Sequence, residues 1–187
     1  RPRPRGARHP ERLEQLHARL AEARHGAGRV RSIVRDLKEF SLPLQTEVGP
    51  VDLVRVVEAA LKVAASHLEE RAVVVREYVA TPMVRGDAAR LEQVFLNLVT
   101  NAVQAMPAGR RGPNELRVRV QLSGPDRVVA EVIDNGVGIP ADLIDRVFDP
   151  FFTTKPVGVG TGLGLPICYN IVAALGGNIS VESVPGR

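Results

Sequence analysis

The strongest constraint on this chain is a heptad seam near its beginning. Apolar or small residues recur in alternating steps of three and four: Leu13, Leu16, Leu20, Ala23, Ala27, Val30, Val34 and Leu37. This pattern predicts one long helix over residues 11–41, which should end before Pro43 because a residue preceding proline avoids the helical conformation. A helix cannot bury such a seam alone, so we expect it to pair with other helices in a bundle or a dimer.

The charge is concentrated in the same region. Residues 1–38 contain eleven Arg or Lys and four Asp or Glu, whereas the whole chain has a net charge of only +4. A basic arm can bind nucleic acid. Here, however, arginines fall between the apolar helix positions, where they form a solvated face: Arg12, Arg19, Arg24, Arg31 and Arg35. We therefore expect no nucleic-acid partner.

Cysteine usage and hydropathy exclude other classes. With Cys168 alone, neither an internal disulfide nor a thiolate metal site can form. Cys168 lies in the apolar stretch LPICYNIV, which favours a buried structural thiol over a catalytic one. No apolar run approaches the ~18 residues that span a bilayer. We expect a cytoplasmic fragment without membrane contact, whose parent protein could carry an anchor upstream of residue 1.

Local patterns predict the remaining organisation. Residues 1–10 and 42–50 are expected to be linkers, the first disordered. Asp52 is expected to cap a helix that continues to about Leu68. The further predicted elements are a strand at 72–78, a helix at 90–106, strands at 116–122, 128–134 and 178–184, a short helix near 141–147 and a helix ending near 175. The class is α+β, with antiparallel strands and helices packed on one face.

Four segments carry polar chemistry, and each alone has a structural alternative. In NLVTNA, Asn97 and Asn101 share a helix face, either as structural hydrogen-bonding groups or with a carboxamide oxygen on Mg²⁺. In DNGVG, residues 134–138 form either an ordinary turn or an outline of an adenine site, where Asp134 accepts from an exocyclic amine and the glycines let a flat ring approach.

The other two segments follow closely. FDPFFTTK, residues 148–155, is either a hydrophobic loop anchor or a source of hydroxyls and a cation for phosphates. GVGTGLGL, residues 158–165, precedes a helix and can form an anion-binding concavity. It lacks the Lys-Ser/Thr pair of a P-loop and the strand that opens a dinucleotide fingerprint.

In this order, the four segments resemble the N box, first glycine box, F box and second glycine box of sensor histidine kinases. The resemblance covers about residues 11–184 and extends to the wider ATPase superfamily of DNA gyrase, MutL repair proteins and the ninety-kilodalton heat-shock chaperone. The segment KPVGVGTG corresponds to the ATP lid, and its short length resembles that of nitrogen-regulation and dicarboxylate sensor kinases. The resemblance implies a Bergerat-type fold, a two-layer sandwich of a mixed, mainly antiparallel sheet with helices on one face. It assigns residues 11–41 to the second dimerisation helix and 42–187 to the ATP-binding catalytic domain.

The resemblance also implies roles for single residues. Asn101 would bind Mg²⁺, Asn97 would lie beside the metal and phosphates as the catalytic position, and Asp134 would accept the adenine amine. The other implied ATP contacts are Gln104, Gly136, Gly138, Ile139, Phe148, Thr153, Thr154, Lys155, Gly160, Thr161, Gly162, Leu163 and Gly164. Gyrase-like ATPases place a Glu where this chain has Asn97, which cannot take a proton, and this favours phosphoryl transfer over hydrolysis.

Two departures from the family pattern qualify this expectation. The histidines, His9, His17, His25 and His67, all lack the context of a phospho-acceptor, so we expect the acceptor outside this fragment and no autophosphorylation in isolation. Gln104 stands where many relatives have a cation, for which Lys155 or Arg110 would substitute. We expect γ-phosphoryl transfer from Mg·ATP to a histidine, relay to a response regulator, and a homodimer through residues 11–41. The alternatives are a nucleotide-binding pseudokinase or dimerisation module without turnover, an ATP-driven clamp and, least favoured, a purely structural coiled coil.

Overall fold

The first element is a long helix. The computed structural model describes residues 9–41, 47–107, 113–155 and 160–185. Helix α1 spans His9–Ser41, which confirms the predicted helix and begins it two residues earlier. Several of its apolar side chains are exposed: Leu16, Leu20, Val30, Ile33, Val34 and Leu37. Residues 1–8 of the linker predicted at 1–10 lie outside the described residues, and residues 9 and 10 belong to α1.

A three-stranded mixed sheet forms the base of the rest. Strands β2 (Val73–Tyr78), β4 (Glu115–Leu122) and β5 (Val128–Asp134) lie in the order β2-β4-β5. β2 pairs with β4 in parallel, and β4 pairs with β5 antiparallel. This confirms the α+β class. It also confirms the mixed sheet that the family resemblance implied, although local alternation in the sequence did not reveal the parallel pairing of β2 with β4.

A small second sheet was not predicted. β1 (Gly49–Val51) pairs antiparallel with β3 (Val84–Gly86). The end of the predicted linker 42–50 therefore belongs to β1, while residues 42–46 lie outside the described residues. Strands of three residues are too short to display a period of two, so pattern analysis has little to detect.

Among the described residues, four α-helices follow the first: α2 (Leu53–Val63), α3 (Ala65–Glu69), α4 (Ala88–Ala105) and α5 (Gly164–Ala174). The Asp52 carboxylate caps α2, as predicted, by accepting from the backbone N–H groups of Val54 and Arg55. The prediction of a single helix after Asp52 was wrong, because the helix is interrupted at Ala64, between α2 and α3. α2 and α4 pack on each other above one face of the sheet.

The two faces of the sheet differ sharply. On the helix side, β4 contributes three fully buried residues: Leu116, Val118 and Val120. On the opposite side, Arg117 and Arg119 each lie 2.8 Å from a carboxylate oxygen of Glu77. The apolar side chains thus determine which face the helices cover. On the uncovered face, the charged side chains pair with one another.

Two further predictions need correction near the end of the chain. The short helix near 141–147 is a 3-10 helix, Ala141–Arg146. Residues 178–184, predicted as a strand, are described and have no strand assignment. Their side chains do alternate, with Ile179, Val181 and Ser183 half-buried between exposed neighbours. The period of two is therefore real, but a strand also requires a hydrogen-bonded partner, which this segment lacks within the described residues.

Candidate active site

Helix α4 provides one face of amide side chains. The Asp87 carboxylate begins the helix by accepting from the Arg90 N–H at 3.1 Å. The apolar positions Val94, Phe95, Val99, Ala102 and Val103 are buried. Asn97, Asn101 and Gln104, spaced by four and three residues, share one side of the helix and retain solvent exposure. One face of α4 thus packs into the core, and another face presents three carboxamide side chains to a ligand.

The first turn of α5 lies against this amide face. The Asn97 Nδ2 donates to the Gly164 carbonyl oxygen at 3.4 Å. A Cβ at position 164 would lie 3.8 Å from Asn101 Nδ2 and 4.0 Å from Asn97 Cγ. The first N–H groups of a helix have no partner within it, so this end of α5 presents donors and a positive partial charge. Pro166 stands in the same turn, where its missing N–H costs no helical hydrogen bond.

Lys155 lies across the same amide face. Its Nζ donates to Asn101 Oδ1 at 3.0 Å and also to Gln104 Oε1. Burial lowers the pKa of the Lys155 ammonium. The backbone N–H of Lys155 donates to Thr153 Oγ1 at 3.2 Å, which orients the start of the side chain. Lys155 therefore reaches the position at Gln104 where many relatives have a cation, as its predicted role requires. Arg110, the other residue predicted for this role, lies outside the described residues.

The turn after β5 lies against the far end of α4. Asp134 Oδ1 accepts from the Gly136 N–H at 2.8 Å, and the Val137 N–H donates to the Ala105 carbonyl oxygen at 3.0 Å. A Cβ at position 136 would lie only 2.7 Å from that carbonyl oxygen, so glycine is required for the close approach. Asp134 is exposed, and within the described residues its second carboxylate oxygen has no hydrogen-bond partner.

Asn135 is a positioning residue that sequence reasoning missed. Its Oδ1 accepts from the Glu115 N–H at 2.9 Å, and its Nδ2 donates to the Pro113 carbonyl oxygen at 3.2 Å. The side chain thereby joins the end of β5 to the start of β4 and holds Asp134 in place. The available signal was the residue type, because Asn in a turn commonly bonds to nearby backbone.

The residues after the turn are fixed by the segment at 183–184. Gly138 has a φ of +72°, and a Cβ there would lie 2.6 Å from the Val184 carbonyl oxygen. The Ile139 N–H donates to Ser183 Oγ at 2.8 Å. The segment that forms no strand therefore supports the glycine turn through side-chain and backbone contacts.

Two aromatic residues of FDPFFTTK, Phe148 and Phe152, anchor residues 148–155. The Phe148 ring lies 5.6 Å from the Tyr169 ring of α5, and the Arg146 guanidinium lies 4.4 Å from the Phe152 ring centroid. Phe151 differs, because its side chain is 61% exposed and its φ of +66° is rare for a residue with a Cβ. Sequence reasoning did not single out Phe151, since no residue pattern announces a strained backbone.

The second glycine segment contributes backbone more than side chains. Leu163 is fully buried, so only its backbone can reach a ligand. Thr161 Oγ1 accepts from the Leu163 N–H at 3.3 Å, and Thr154 is exposed. A Cβ at Gly160 would lie 2.9 Å from Thr153 Oγ1. Residues 156–159 of the predicted short segment lie outside the described residues.

A nucleotide with a divalent cation fits this arrangement. The amide oxygens of Asn101 and Gln104 are the hard donors that Mg²⁺ prefers, and Lys155 shows that a positive charge is accommodated on them. The first turn of α5 suits phosphate oxygens. Asp134 offers an acceptor near Ala105 at the C-terminal end of α4, about one turn beyond Asn101, so one helix brings both parts of the predicted site together.

Comparison with known proteins agrees with this geometry. The profile of the family described as histidine kinase-, DNA gyrase B- and HSP90-like ATPases matches residues 86–187, more than half of the chain. The chain belongs to this family. Sensor histidine kinases are among its curated relatives.

Individual relatives cover most of the chain. It is 37% identical over 182 residues to the sensor kinase CckA of Brucella abortus, covering 90% of this chain and 19% of CckA. It is 37% identical to the sensor histidine kinase ZraS of Klebsiella oxytoca, covering 86% of this chain and 34% of ZraS. With the histidine kinase/phosphatase NtrB of Rhodobacter capsulatus the identity is 35%, over 85% of this chain and 47% of NtrB. The chain thus spans less than half the length of these curated relatives.

Solved structures show the same fold. The catalytic domain of the histidine kinase ThkA superposes with a TM-score of 0.65 at 28% identity, covering 75% of this chain and 90% of that domain. The full-length kinase ShkA, solved with AMPPNP, gives a TM-score of 0.75 at 24% identity, covering 92% of this chain and 37% of ShkA. Across the described ranges of this chain, the helices are too short or too polar to cross a bilayer.

Proposed function

We propose that this chain binds Mg·ATP along α4 and positions its γ-phosphoryl group for transfer to a histidine. The observation that carries the proposal is the position of Asn101. Its Oδ1 accepts from Lys155 at 3.0 Å, and its Nδ2 lies near the first turn of α5. An oxygen donor that accommodates a cation, beside a helix N-terminus, is what a metal-bound triphosphate requires.

The base would bind at the C-terminal end of α4, where the turn after β5 meets Ala105. The second carboxylate oxygen of Asp134 would accept a hydrogen bond from the adenine amino group, with Ile139 beside the ring. Because Gly136 and Gly138 lack a Cβ, the turn beneath the ring packs closely on Ala105 and Val184. Gly136 has no space for a side chain and already brings the turn against Ala105, so the ring meets backbone on that side. Asn135 holds the turn in this position.

The phosphates would bind between the amide face and the glycine segment. Asn101, with Gln104 beside it, would hold Mg²⁺, which when bound neutralises negative charge on the phosphates. Lys155, Thr153 and Thr154 supply a cation and hydroxyl groups, with Phe148 anchoring their segment. Backbone N–H groups between Gly160 and Gly164, such as those of Thr161 and Gly162, would donate to the remaining oxygens, whereas the Leu163 N–H donates to Thr161 Oγ1.

The reaction would depend on positioning rather than on a strong base. Asn97 is an amide that orients the first turn of α5 through Gly164, and it cannot remove a proton from water. An attacking histidine needs alignment and charge neutralisation, which this site supplies, and water remains unactivated. The acceptor histidine belongs to the dimerisation domain of the parent protein.

The parent would act as a homodimer with a response regulator as its partner. Residues 11–41 supply the second helix of the dimerisation domain, and residues 42–187 supply the ATP-binding domain. Exposed apolar side chains of α1, such as Leu16, Leu20 and Val34, support a helical partner for this surface. Sedimentation of a parent protein carrying Leu20→Lys and Val34→Lys should show a loss of dimer.

Calorimetric titration with ATP tests the nucleotide site. The chain should bind ATP with Mg²⁺, and Asn101→Ala should weaken this binding at least ~tenfold because a metal ligand is lost. Gln121→Ala removes an amide from the outer face of the sheet and serves as the matched control, with unchanged affinity. Absence of ATP binding by the intact chain contradicts the proposal and favours a dimerisation module without nucleotide turnover.

A further inference from the structure

One ammonium group occupies the place where the proposed function puts a metal ion. Lys155 Nζ donates to Asn101 Oδ1 at 3.0 Å and to Gln104 Oε1, both of which are neutral amide oxygens. Among the described residues, no carboxylate forms an ion pair with Lys155. A cation held by neutral oxygens alone uses the kind of donor that a hard metal ion selects.

The placement of this ammonium is built into two segments of the chain. The Thr153 hydroxyl accepts from the Lys155 N–H at 3.2 Å and so fixes the backbone from which the side chain starts. A Cβ at position 160 would lie 3.1 Å from Lys155 Cδ and 2.9 Å from Thr153 Oγ1. Gly160 therefore leaves the aliphatic part of Lys155 the space to extend toward α4, and a Cβ there would crowd both Lys155 and Thr153.

We propose that Lys155 is an internal cation of the nucleotide site, which neutralises the phosphates when metal is absent and is displaced from Asn101 by Mg²⁺. The inference rests on the proposed nucleotide site. Mg²⁺ binds oxygen at about 2.0–2.1 Å. Two cations on Asn101 Oδ1 would be no more than about 5 Å apart and would repel each other, so they alternate rather than share the oxygen.

This alternation has a measurable consequence for affinity. In a site without an internal cation, removal of the metal leaves the phosphate charges facing only neutral amides and backbone donors. With Lys155 present, a nucleotide without metal still meets one positive charge at Asn101 and Gln104. The ratio of the ADP dissociation constants without and with Mg²⁺ should therefore be small in the native chain and large when the ammonium is removed.

The test is calorimetric titration of the full chain with ADP, in EDTA and in excess Mg²⁺. Lys155→Met keeps the aliphatic stem and removes the charge. We expect it to weaken metal-free binding at least ~tenfold and Mg·ADP binding by a factor several times smaller. Lys155→Arg should restore metal-free binding. Lys62→Met removes the same charge from an exposed position on α2 and should change neither constant.

Several outcomes would overturn the inference. Equal weakening in EDTA and in Mg²⁺ would make Lys155 an ordinary phosphate contact, and unchanged constants would remove it from the site. An effect of Lys62→Met as large as that of Lys155→Met would reduce the result to net charge. Failure of the native chain to bind ADP under either condition contradicts the proposed function itself, whereas Mg²⁺-dependent binding with an unaltered ratio in Lys155→Met overturns this inference alone.

Discussion

Phe151 and Gly162 hold each other in the left-handed backbone region, where their φ angles are +66° and +68°. The Phe151 N–H donates to the Gly162 carbonyl oxygen at 2.9 Å. A residue with a Cβ in this region costs about 1–2 kcal/mol, so surrounding contacts must stabilise Phe151 there. Their hydrogen bond joins the segment that carries Lys155 to the segment that leads into α5.

Gly162→Ala should therefore damage both stability and binding. A Cβ at this position would lie 2.4 Å from the Phe151 carbonyl carbon, a contact that only backbone movement can relieve. We expect a loss of more than ~2 kcal/mol in the free energy of unfolding, and weaker ATP binding, because the two segments separate.

Gly124→Ala is the matched control for that variant. Gly124 has a φ of +81° in the turn between β4 and β5, and a Cβ there would meet nothing within 4 Å. It should cost about 1 kcal/mol of unfolding free energy and leave ATP affinity unchanged. Chemical denaturation and calorimetry measure both quantities, and equal effects of the two substitutions would disprove the importance of the Phe151 contact.

Asp134→Asn should remove adenine recognition while preserving the turn. The amide oxygen of Asn can still accept from the Gly136 N–H, which Asp134 accepts at 2.8 Å. The other carboxylate oxygen becomes an NH₂ group, which cannot accept from the adenine amine. We expect ATP affinity to fall by ~tenfold or more with an unfolding free energy within about 0.5 kcal/mol of the native value. Native affinity in a folded variant would refute the adenine assignment.

The Cys168 thiol should make stability decrease at alkaline pH. Burial raises its pKa from the ordinary 9.0 to about 12, and its Sγ lies 3.7 Å from the Val94 carbonyl oxygen. The unfolded thiol ionises at the lower pKa, so its contribution is complete below pH 9 and decreases from there toward pH 12. The slope in that window approaches ~1.4 kcal/mol per pH unit.

Cys168→Ala separates this thiol from the other groups that titrate at high pH. The difference in unfolding free energy between the native chain and the variant should be largest near neutral pH and shrink above pH 9. Denaturation series at several pH values measure it directly. A difference that stays constant from pH 7 to pH 11 would show that the thiol ionises equally well in the folded chain.

Tyr78→Phe should affect stability without affecting the nucleotide site. The Tyr78 hydroxyl donates to Glu58 Oε1 at 2.6 Å, and Arg76 Nε donates to the same oxygen at 2.8 Å, which joins β2 to α2. Loss of the hydroxyl should cost about 1 kcal/mol, reduced by the partial exposure of the carboxylate. ATP affinity should equal that of the native chain in calorimetry, and a weaker affinity would mean that α2 transmits strain to α4.

Sequence patterns predicted those parts of the fold that one strong local signal determines. The heptad seam gave α1, Asp52 gave the start of α2, and alternation in β4 gave its buried face. The parallel pairing of β2 with β4 and the small β1–β3 sheet depend on contacts distant in sequence, which local periodicity does not encode. The strand expected at 178–184 failed for the related reason that alternation does not specify a partner.

The candidate site divides in the same way. The order of the four motifs led to Asn97, Asn101, Asp134 and Lys155, and the structure places the first, second and fourth around the start of α5. The backbone angle of Phe151 and the support of the turn by Asn135 could not be inferred. Both follow from how segments meet in space, and such contacts leave no regular spacing in the sequence.

The domain has two hydrophobic clusters of unequal size, and the smaller one lies between α4 and α5. α5 is held by a cluster that is separate from the main core and contains, among the described residues, five buried members: Val94, Leu163, Ile167, Cys168 and Ile171. A segment with so small a core opens locally at a lower free energy than the sheet beneath α2 and α4. A bound nucleotide would add contacts at this weak point, so slower amide exchange in α5, rather than a higher melting temperature, is the most sensitive measure of occupancy.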